Sequence, residues 1–490
     1  MNSHPSRTIT LLGFTALIAC VLAVLWPCAM HGFPRGADAD FHATAWSDVA
    51  QQWHEGTIWP RWGAKFAFGF GEPVYIFYPP FSIVLGALCV KLLGGGTAPF
   101  VFCFVTLLLA GWNMRSCARD YTDEVGAWIA ACAYAANPYF MICIWIRNSF
   151  AELLAAALFP LVMKYSLKLE TRRDFAKLAL AYSAIWLTNF PAAVITSYAI
   201  VVLLIVRSID EHRWTRLIRG VAAMSLGIGV AAWTILPAWY EQRWVKITWA
   251  YSGYNLYWKH WLWGGGADKD DVEFTRWMTV AAASLIAIAL TAVFARFFLR
   301  DRPKDSQLAI FALFVVSALM MFSASRIAWA IAPLLSKVQF PWRWMFVVAF
   351  ATAMLIGFLA ERLPWTIAVA VVLIVSSVWV ARYLYEQADW DDLWTKNFVL
   401  NQHYLVEEYL PIGADSRMLQ WAAEKATRGT LNYPAWQVNF DDPRLDNKTH
   451  LLVSSPENKP LRFTRTWDRT LGGAISIIGF CVCGFLLRKK

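Results

Sequence analysis

Apolar stretches recur along almost the whole chain, at about 10 to 30, 98 to 117, 125 to 142, 149 to 167, 217 to 236, 276 to 296, 307 to 324, 341 to 360, 363 to 383 and 471 to 487. Each is close to the roughly 20 residues that a helix needs to cross the hydrocarbon core of a bilayer. Lipid offers no partner for backbone N–H and C=O groups, so long apolar runs of this kind close those bonds within helices. Composition agrees: 58% of the 490 residues are hydrophobic and the mean hydropathy is +0.43. A water-soluble globule of this size would need more polar surface. The expectation is an all-α polytopic membrane bundle.

Two stretches depart from the simple pattern. Residues 175 to 206 are too long for one ordinary span and contain Asn189-Phe190-Pro191, which predicts two short helices meeting at a polar, proline-marked break. Residues 79 to 93 open on Pro79-Pro80 and leave about fifteen residues of clean helix, short for a crossing and better suited to a re-entrant or interfacial helix. Basic clusters at Arg115/Arg119, 164 to 177, 207 to 219, 296 to 304, Arg362 and 488 to 490 orient the chain, because Lys and Arg gather on the cytoplasmic side of short loops. With the N-terminus and these clusters inside, about twelve full spans result. The polar segments 31 to 78, 237 to 275, 325 to 340 and 384 to 469 then fall on the outer face.

The first apolar run lacks a small-residue cleavage pattern and reads as a retained span. All nine cysteines lie in or beside apolar segments, so no disulfide framework is expected in the outer loops. No dinucleotide, Walker A or zinc-ligand pattern occurs. The formal charge of +10 is accounted for by cytoplasmic loops facing anionic lipid and does not point to nucleic acid. Residues 384 to 469 read as a small mixed α/β domain. Strands are expected at Trp436–Phe440 and His450–Val453, and the segment 470 to 490 forms a final anchor.

Chemistry-bearing residues concentrate in the first outer loop. Asp38, Asp40 and His42 follow the first span, and an extended chain would point the two carboxylates the same way, whereas a helix would spread them apart. A solvated acidic loop is the plain alternative. Against it stand the aromatic residues that follow, among them Trp46, Trp53, Trp59, Trp62, Tyr75 and Tyr78, which suit the interfacial depth and a wall above a cavity. Arg147 and Glu152 form a second pair, and a carboxylate inside a span is either bridged structurally or set in a wet functional cavity. Arg343, in Gln339-Phe-Pro-Trp-Arg343, is a cation oddly placed for inside-positive sorting, and its planar fork suits a phosphate. Arg243, Lys246, Lys259, Arg326 and Lys337 add further cations to that face.

Several strings together resemble a known family. They are Gly36-x-Asp38-x-x-Phe41-His42, Trp59-Pro-Arg-Trp62, Gly69-x-Gly71-x-Pro73, Phe77-Tyr-Pro-Pro80, Arg147 with Glu152, Phe159-Pro160, Phe340-Pro-Trp-Arg343, Glu408-Tyr-Leu-Pro411 and Tyr433-Pro-x-Trp436. Spread from about residue 30 to the C-terminus, they look like a bacterial multispanning family labelled 6-pyruvoyl-tetrahydropterin-synthase-related. That family is in turn similar to GT-C membrane glycosyltransferases, which take sugar from a polyprenyl-phosphate donor. The resemblance implies a transferase in the bacterial inner membrane, with its active site facing the periplasm. The acceptor would be a glycan, lipid or envelope polymer, and membrane lipids would be further partners. It implies Asp38 as general base with Asp40 beside it, and Arg343 and Arg147 on the donor phosphate. His42, Glu152, Arg61 and Tyr78 would support them, with Tyr433 and Trp436 on the acceptor side. Ala37 stands where the family often has His, which removes one metal ligand. No cofactor is firmly implied, and a divalent cation held by Asp38 and His42 is the one candidate. A lipid or polysaccharide transporter, or a non-catalytic envelope-assembly protein, are the competing classes. Internally repeated halves with matching broken helices would mark the transporter.

Overall fold

The computed structural model describes residues 7–263, 269–298, 305–359, 376–390, 404–425, 429–431, 433, 451–453 and 466–488. Among them, eight helices are long and apolar enough to cross a membrane: Arg7–His31, Ala98–Ala118, Glu124–Ile146, Phe150–Leu167, Phe190–Asp210, Val272–Ala295, Pro341–Leu359 and Trp467–Leu487. The chain is therefore a multi-pass membrane protein. Two more stretches break in the middle: Thr215–Val230 meets Ala232–Trp244 at 74°, and Ser306–Leu319 meets Ser323–Ile331 at 97°. Counting each bent pair as one span gives up to ten. The expected span at 363 to 383 lies largely outside the described residues, which do not themselves carry the count of twelve.

Local sequence explains the helix ends. The break expected near Asn189 is a helix start, because the Asn189 carboxamide oxygen accepts the Ala192 N–H at 2.9 Å and Pro191 fits the first turn. The helix it opens, Phe190–Asp210, is a full-length span rather than a short half, while its partner Arg172–Trp186 has 15 residues. Thr171 and Asp174 close a reciprocal capping box ahead of that partner. Within the bundle, small residues set the closest approaches. A methyl group on Gly126 would lie 2.6 Å from the Gly357 carbonyl oxygen, and Thr122 donates to that carbonyl at 2.9 Å.

The first loop is more ordered than a wall of aromatics. Residues Ala39–His54 form a helix that is buried all round from Phe41 to Ala50. This helix lies on Pro80–Leu93, the 14-residue helix expected to re-enter or lie at the interface. Gly86 makes room for the Trp46 indole, since a β-carbon there would fall 2.0 Å from Trp46 Cε2. Trp46 then stacks on Phe102 at 5.0 Å and meets Phe150 at 5.1 Å, joining the loop helix to the bundle core.

Of the expected α/β domain, the described residues show the helix Ser416–Glu424 and two short strands, Gly429–Leu431 and Leu451–Val453. The strands pair antiparallel with Gly429 opposite Val453. The expected strand at Trp436–Phe440 lies outside the described residues. The segment before this helix straps the first loop to the 244–251 region. Ala67 N–H donates to the Tyr404 carbonyl at 2.8 Å, Lys246 N–H to Leu410 at 3.0 Å, and Ile412 N–H to Trp244 at 3.0 Å.

Candidate active site

The site begins at the join between two spans. The helix from Glu124 restarts at Pro138 under an Asn137 cap and ends in a π-turn over Ile142–Ile146, which delivers Arg147 at the mouth of the next span. Such π-turns recur at functional sites because they re-aim one side chain without breaking the helix. Asn148 follows with φ 51° and its side chain receives the Gly36 N–H at 2.5 Å. The Asp38 N–H donates to the Arg147 carbonyl at 2.8 Å. A side chain on Gly36 would collide with Asn148 Oδ1 at 2.5 Å and the Ile146 carbonyl at 2.6 Å, so glycine permits this contact. The first loop is thus pinned, by backbone, to the turn that carries Arg147.

Glu152 sits one turn inside the following span and is almost wholly buried. Its carboxylate accepts from the Tyr139 hydroxyl and from Arg147 Nη1 at 2.8 Å, and Arg343 Nε lies 3.4 Å away. The structural bridge between Arg147 and Glu152 is therefore real, and it also recruits Arg343 from a helix almost two hundred residues later. One buried carboxylate faces two guanidinium groups here, with Asp38 as the next acid within electrostatic reach of both. The Arg147 guanidinium stacks 4.5 Å over the Trp342 ring, and Arg343 lies 4.9 Å over Phe340. Arg343 Nη1 also donates to the Val338 carbonyl at 2.7 Å and to Gln339 Oε1 at 3.1 Å.

Asp38 occupies the N-cap position of Ala39–His54 and keeps part of its surface accessible. Burial pushes its carboxyl above the ordinary range, and the charges of Arg147 and Arg343 offset only part of that push. Since the backbone turns helical here, Asp38 and Asp40 diverge: Asp40 pairs with Arg35 at 3.0 Å. His42 points into an aromatic cage of Phe41, Trp46, Tyr78 and Phe150. Burial lowers its pKa to about 3, and among the described residues neither ring nitrogen has a hydrogen-bond partner. Among the described residues Asp38 and His42 belong to no group of three or more His, Cys, Asp or Glu that could hold a metal ion, and a caged imidazole flanked by Phe41, Trp46, Tyr78 and Phe150 does not fit a divalent cation there.

Tyr78 stands between the polar cluster and an apolar cavity. Its ring lies 4.5 Å from Phe41, and burial together with Asp38 raises its hydroxyl pKa. The open apolar pocket that it lines also has Val49, Trp53, Trp59, Tyr75, Ile83 and their neighbours in its walls.

Other expected residues go elsewhere. Arg61 lies near Arg469, Glu241 and Asp468, with burial and then Arg469 lowering its pKa to about 10. Tyr433 is buried beside Trp62 and Val245, and its hydroxyl donates to Glu241 at 2.8 Å. Trp436 lies outside the described residues. Conversely, Tyr404 and Glu408 come to the first loop unannounced. Tyr404 packs 6.2 Å from Phe41, and the Glu408 carboxyl is pushed up by burial and by nearby Asp38. The string Glu408-Tyr-Leu-Pro411 is the one sequence signal that marks this segment.

No family model matches the chain, and no curated protein matches it in sequence. The 6-pyruvoyl-tetrahydropterin-synthase-related label thus has no family model behind it. Among solved structures, ArnT from Cupriavidus metallidurans bound to undecaprenyl phosphate is similar over 81% of this chain and 76% of its own, with 14% identity and a TM-score of 0.50. The fold is ArnT-like. The same protein in the apo state matches over 72% and 60% at 15% identity and a TM-score of 0.45. The Archaeoglobus fulgidus oligosaccharyltransferase in the apo form matches over 77% and 56% at 10% identity and a TM-score of 0.49. At such identities the likeness to ArnT is one of architecture alone.

Proposed function

We propose that the chain is a membrane glycosyltransferase that moves a sugar from a polyprenyl-phosphate-linked donor to an envelope or lipid-linked acceptor. The observation that carries this reading is the pinning of the Asp38 backbone to the Arg147 carbonyl at 2.8 Å, which sets the acid within electrostatic reach of the two guanidinium groups, Arg147 and Arg343, that Glu152 holds together. Architecture supports it, because the ArnT structure with the same fold holds undecaprenyl phosphate. In this reading the hydrocarbon next to the donor phosphate lies against the Trp53 and Tyr75 cavity. The phosphate approaches Arg343 and Arg147, and Glu152 fixes both cations. Asp38 takes the proton of the acceptor hydroxyl, whose oxygen attacks the anomeric carbon. The bond from that carbon to the phosphate oxygen breaks, and the electron pair leaves on polyprenyl phosphate, where the guanidinium groups meet the developing charge. Attack from the face opposite the leaving group inverts the anomeric centre. A periplasmic site in the inner membrane belongs to the same proposal, since lipid-linked donors are the sugars at hand on that face.

The test is to incubate the purified protein with a panel of lipid-linked sugars and follow both lipid and sugar. Consumption of one donor with release of polyprenyl phosphate is the expected result. Movement of an intact lipid across vesicles with no sugar released would instead make the chain a transporter. No turnover of any lipid, with Asp38 dispensable in cells, would leave an assembly scaffold.

A further inference from the structure

Gln339 joins the cation of the site to a loop that the mechanism does not use. It precedes the Pro341–Trp344 turn with φ 72° and ψ −54°, a conformation that is strained for any residue with a side chain. Its two amide ends face opposite partners: Nε2 donates to the Ala250 carbonyl at 2.7 Å, and Oε1 accepts from Arg343 Nη1 at 3.1 Å. Neighbouring contacts hold the same geometry. Lys337 lies 4.1 Å over the Tyr251 ring, Phe340 meets His260 at 4.7 Å, and His260 Nε2 bonds to the Tyr254 carbonyl at 2.7 Å. The segment 247–260 therefore grips Gln339 and Phe340, and these two touch the Arg343 guanidinium from different sides.

We infer that Gln339 is a positioning residue that sets the Arg343 fork for the departing phosphate by bridging it to the Ala250 carbonyl. The inference rests on the proposed role of Arg343 at the donor phosphate. Arg343 has a long, flexible stem: Glu152 faces its Nε at 3.4 Å and the Val338 carbonyl takes its Nη1 at 2.7 Å, two contacts that leave the plane of the fork to a third. The Gln339 carboxamide supplies that third anchor, and Ala250 fixes it in turn. Backbone strain at this position, held by the surrounding contacts, is what a positioning device requires.

The experiment uses the full chain with Gln339→Gly, Gln339→Glu and Arg343→Lys, alone and combined. Glycine relieves the strained φ, so Gln339→Gly should unfold at or above the wild-type temperature while kcat/KM for the lipid-linked donor falls about tenfold or more. Gln339→Glu keeps an acceptor for Arg343 and should retain more transfer than the glycine variant. Arg343→Lys should cost far less in the Gln339→Gly background than in the wild type, since the fork it removes is already unset. Binding of undecaprenyl phosphate alone, read from the shift in unfolding temperature, should weaken in parallel. Full kcat/KM and undiminished lipid binding in Gln339→Gly would overturn the inference, as would losses from the two sites that multiply independently. If Arg343→Lys is itself silent for transfer and binding, the reading of the site fails and the positioning role falls with it. Undecaprenyl phosphate binding that needs Arg343 but not Gln339 overturns the positioning role alone.

Discussion

Asp38 is held where a carboxyl resists ionisation, and the sign of that effect can be measured twice. A carboxyl whose folded pKa lies above its unfolded value near 3.9 contributes stability at low pH and loses it as pH rises through the folded value. At neutral pH the ionised group is thus a cost to folding, and Asp38→Asn should unfold no earlier than wild type, yet lose transfer by about 10² or more. Transfer by the wild type should rise with pH through a limb above the ordinary carboxylate range. That limb should persist in His42→Phe, because the imidazole, with a pKa of about 3, stays neutral across it. Near-normal turnover by well-folded Asp38→Asn would move the base elsewhere, with Glu408 as the next enclosed carboxyl beside it. Asp40→Asn, which removes only a pairing with the half-exposed Arg35, should cost much less. For Arg343→Lys the expectation is poor transfer despite retained charge, since a point ammonium cannot replace a fork shared among Glu152, Gln339 and Val338. Donor titration at fixed acceptor distinguishes weak binding from slow chemistry in that variant.

At the scale of elements, the site depends on one loop docking on one turn. Gly36→Ala places a methyl group against Asn148 Oδ1 and the Ile146 carbonyl, both fixed by the π-turn, so the loop rather than the turn must move. The expected cost is about 1–3 kcal/mol in thermal unfolding, accompanied by loss of transfer as Asp38 shifts away from Arg147. Unchanged transfer in Gly36→Ala would mean that Asp38 does not act from this geometry. The sequence showed where this loop begins and that it was too aromatic to be idle, but not its shape. Every residue from Phe41 to Ala50 is buried, so this stretch shows no one-sided helical period, and Trp46 and Trp53 also read as interfacial aromatics, which hid the helix. Asp38 and Asp40, which an extended chain would align and a helix would spread, diverge for that reason. Legible too were the break at Asn189 and the short Pro80–Leu93 helix, because proline and asparagine act through local backbone chemistry. The 97° bend after Leu319 was not, since no proline or glycine marks it, whereas the 74° bend follows Gly227-Ile-Gly229, a signal that an unbroken apolar run from 217 to 236 concealed.

Across the whole molecule, polar clusters far apart in sequence join the ends of the chain, which is where sequence reading loses its grip. The strap at 404–412 reaches the first loop through Tyr404 and through Val406 N–H, which donates to the buried Glu72 carboxyl at 3.2 Å. It also reaches the 244–251 segment that holds Gln339. No periodicity in 404–412 announces partners more than three hundred residues earlier. A second cluster ties the last helix to the break after Val230. Glu241, fully buried, accepts Arg469 Nε at 2.9 Å, Arg469 Nη2 at 3.1 Å and the Tyr433 hydroxyl at 2.8 Å, with Arg61 from the first loop nearby. The bidentate pair and the third donor hold the Glu241 carboxylate, and an amide in its place removes the negative charge that faces the Arg469 guanidinium in a buried site. Glu241→Gln should therefore lower unfolding stability by about 3–5 kcal/mol. Because Arg61 and Tyr433 gather here rather than at Asp38, turnover per folded molecule should hold near wild type below the new melting point. Thermal unfolding and donor turnover measured on one preparation decide between two roles for this cluster. A stability loss with retained turnover makes it a clasp between the first loop and the final helix. Lost turnover at unchanged stability would return Arg61 and Tyr433 to the reaction path, and the acceptor would then approach through the Glu241 end of the bundle.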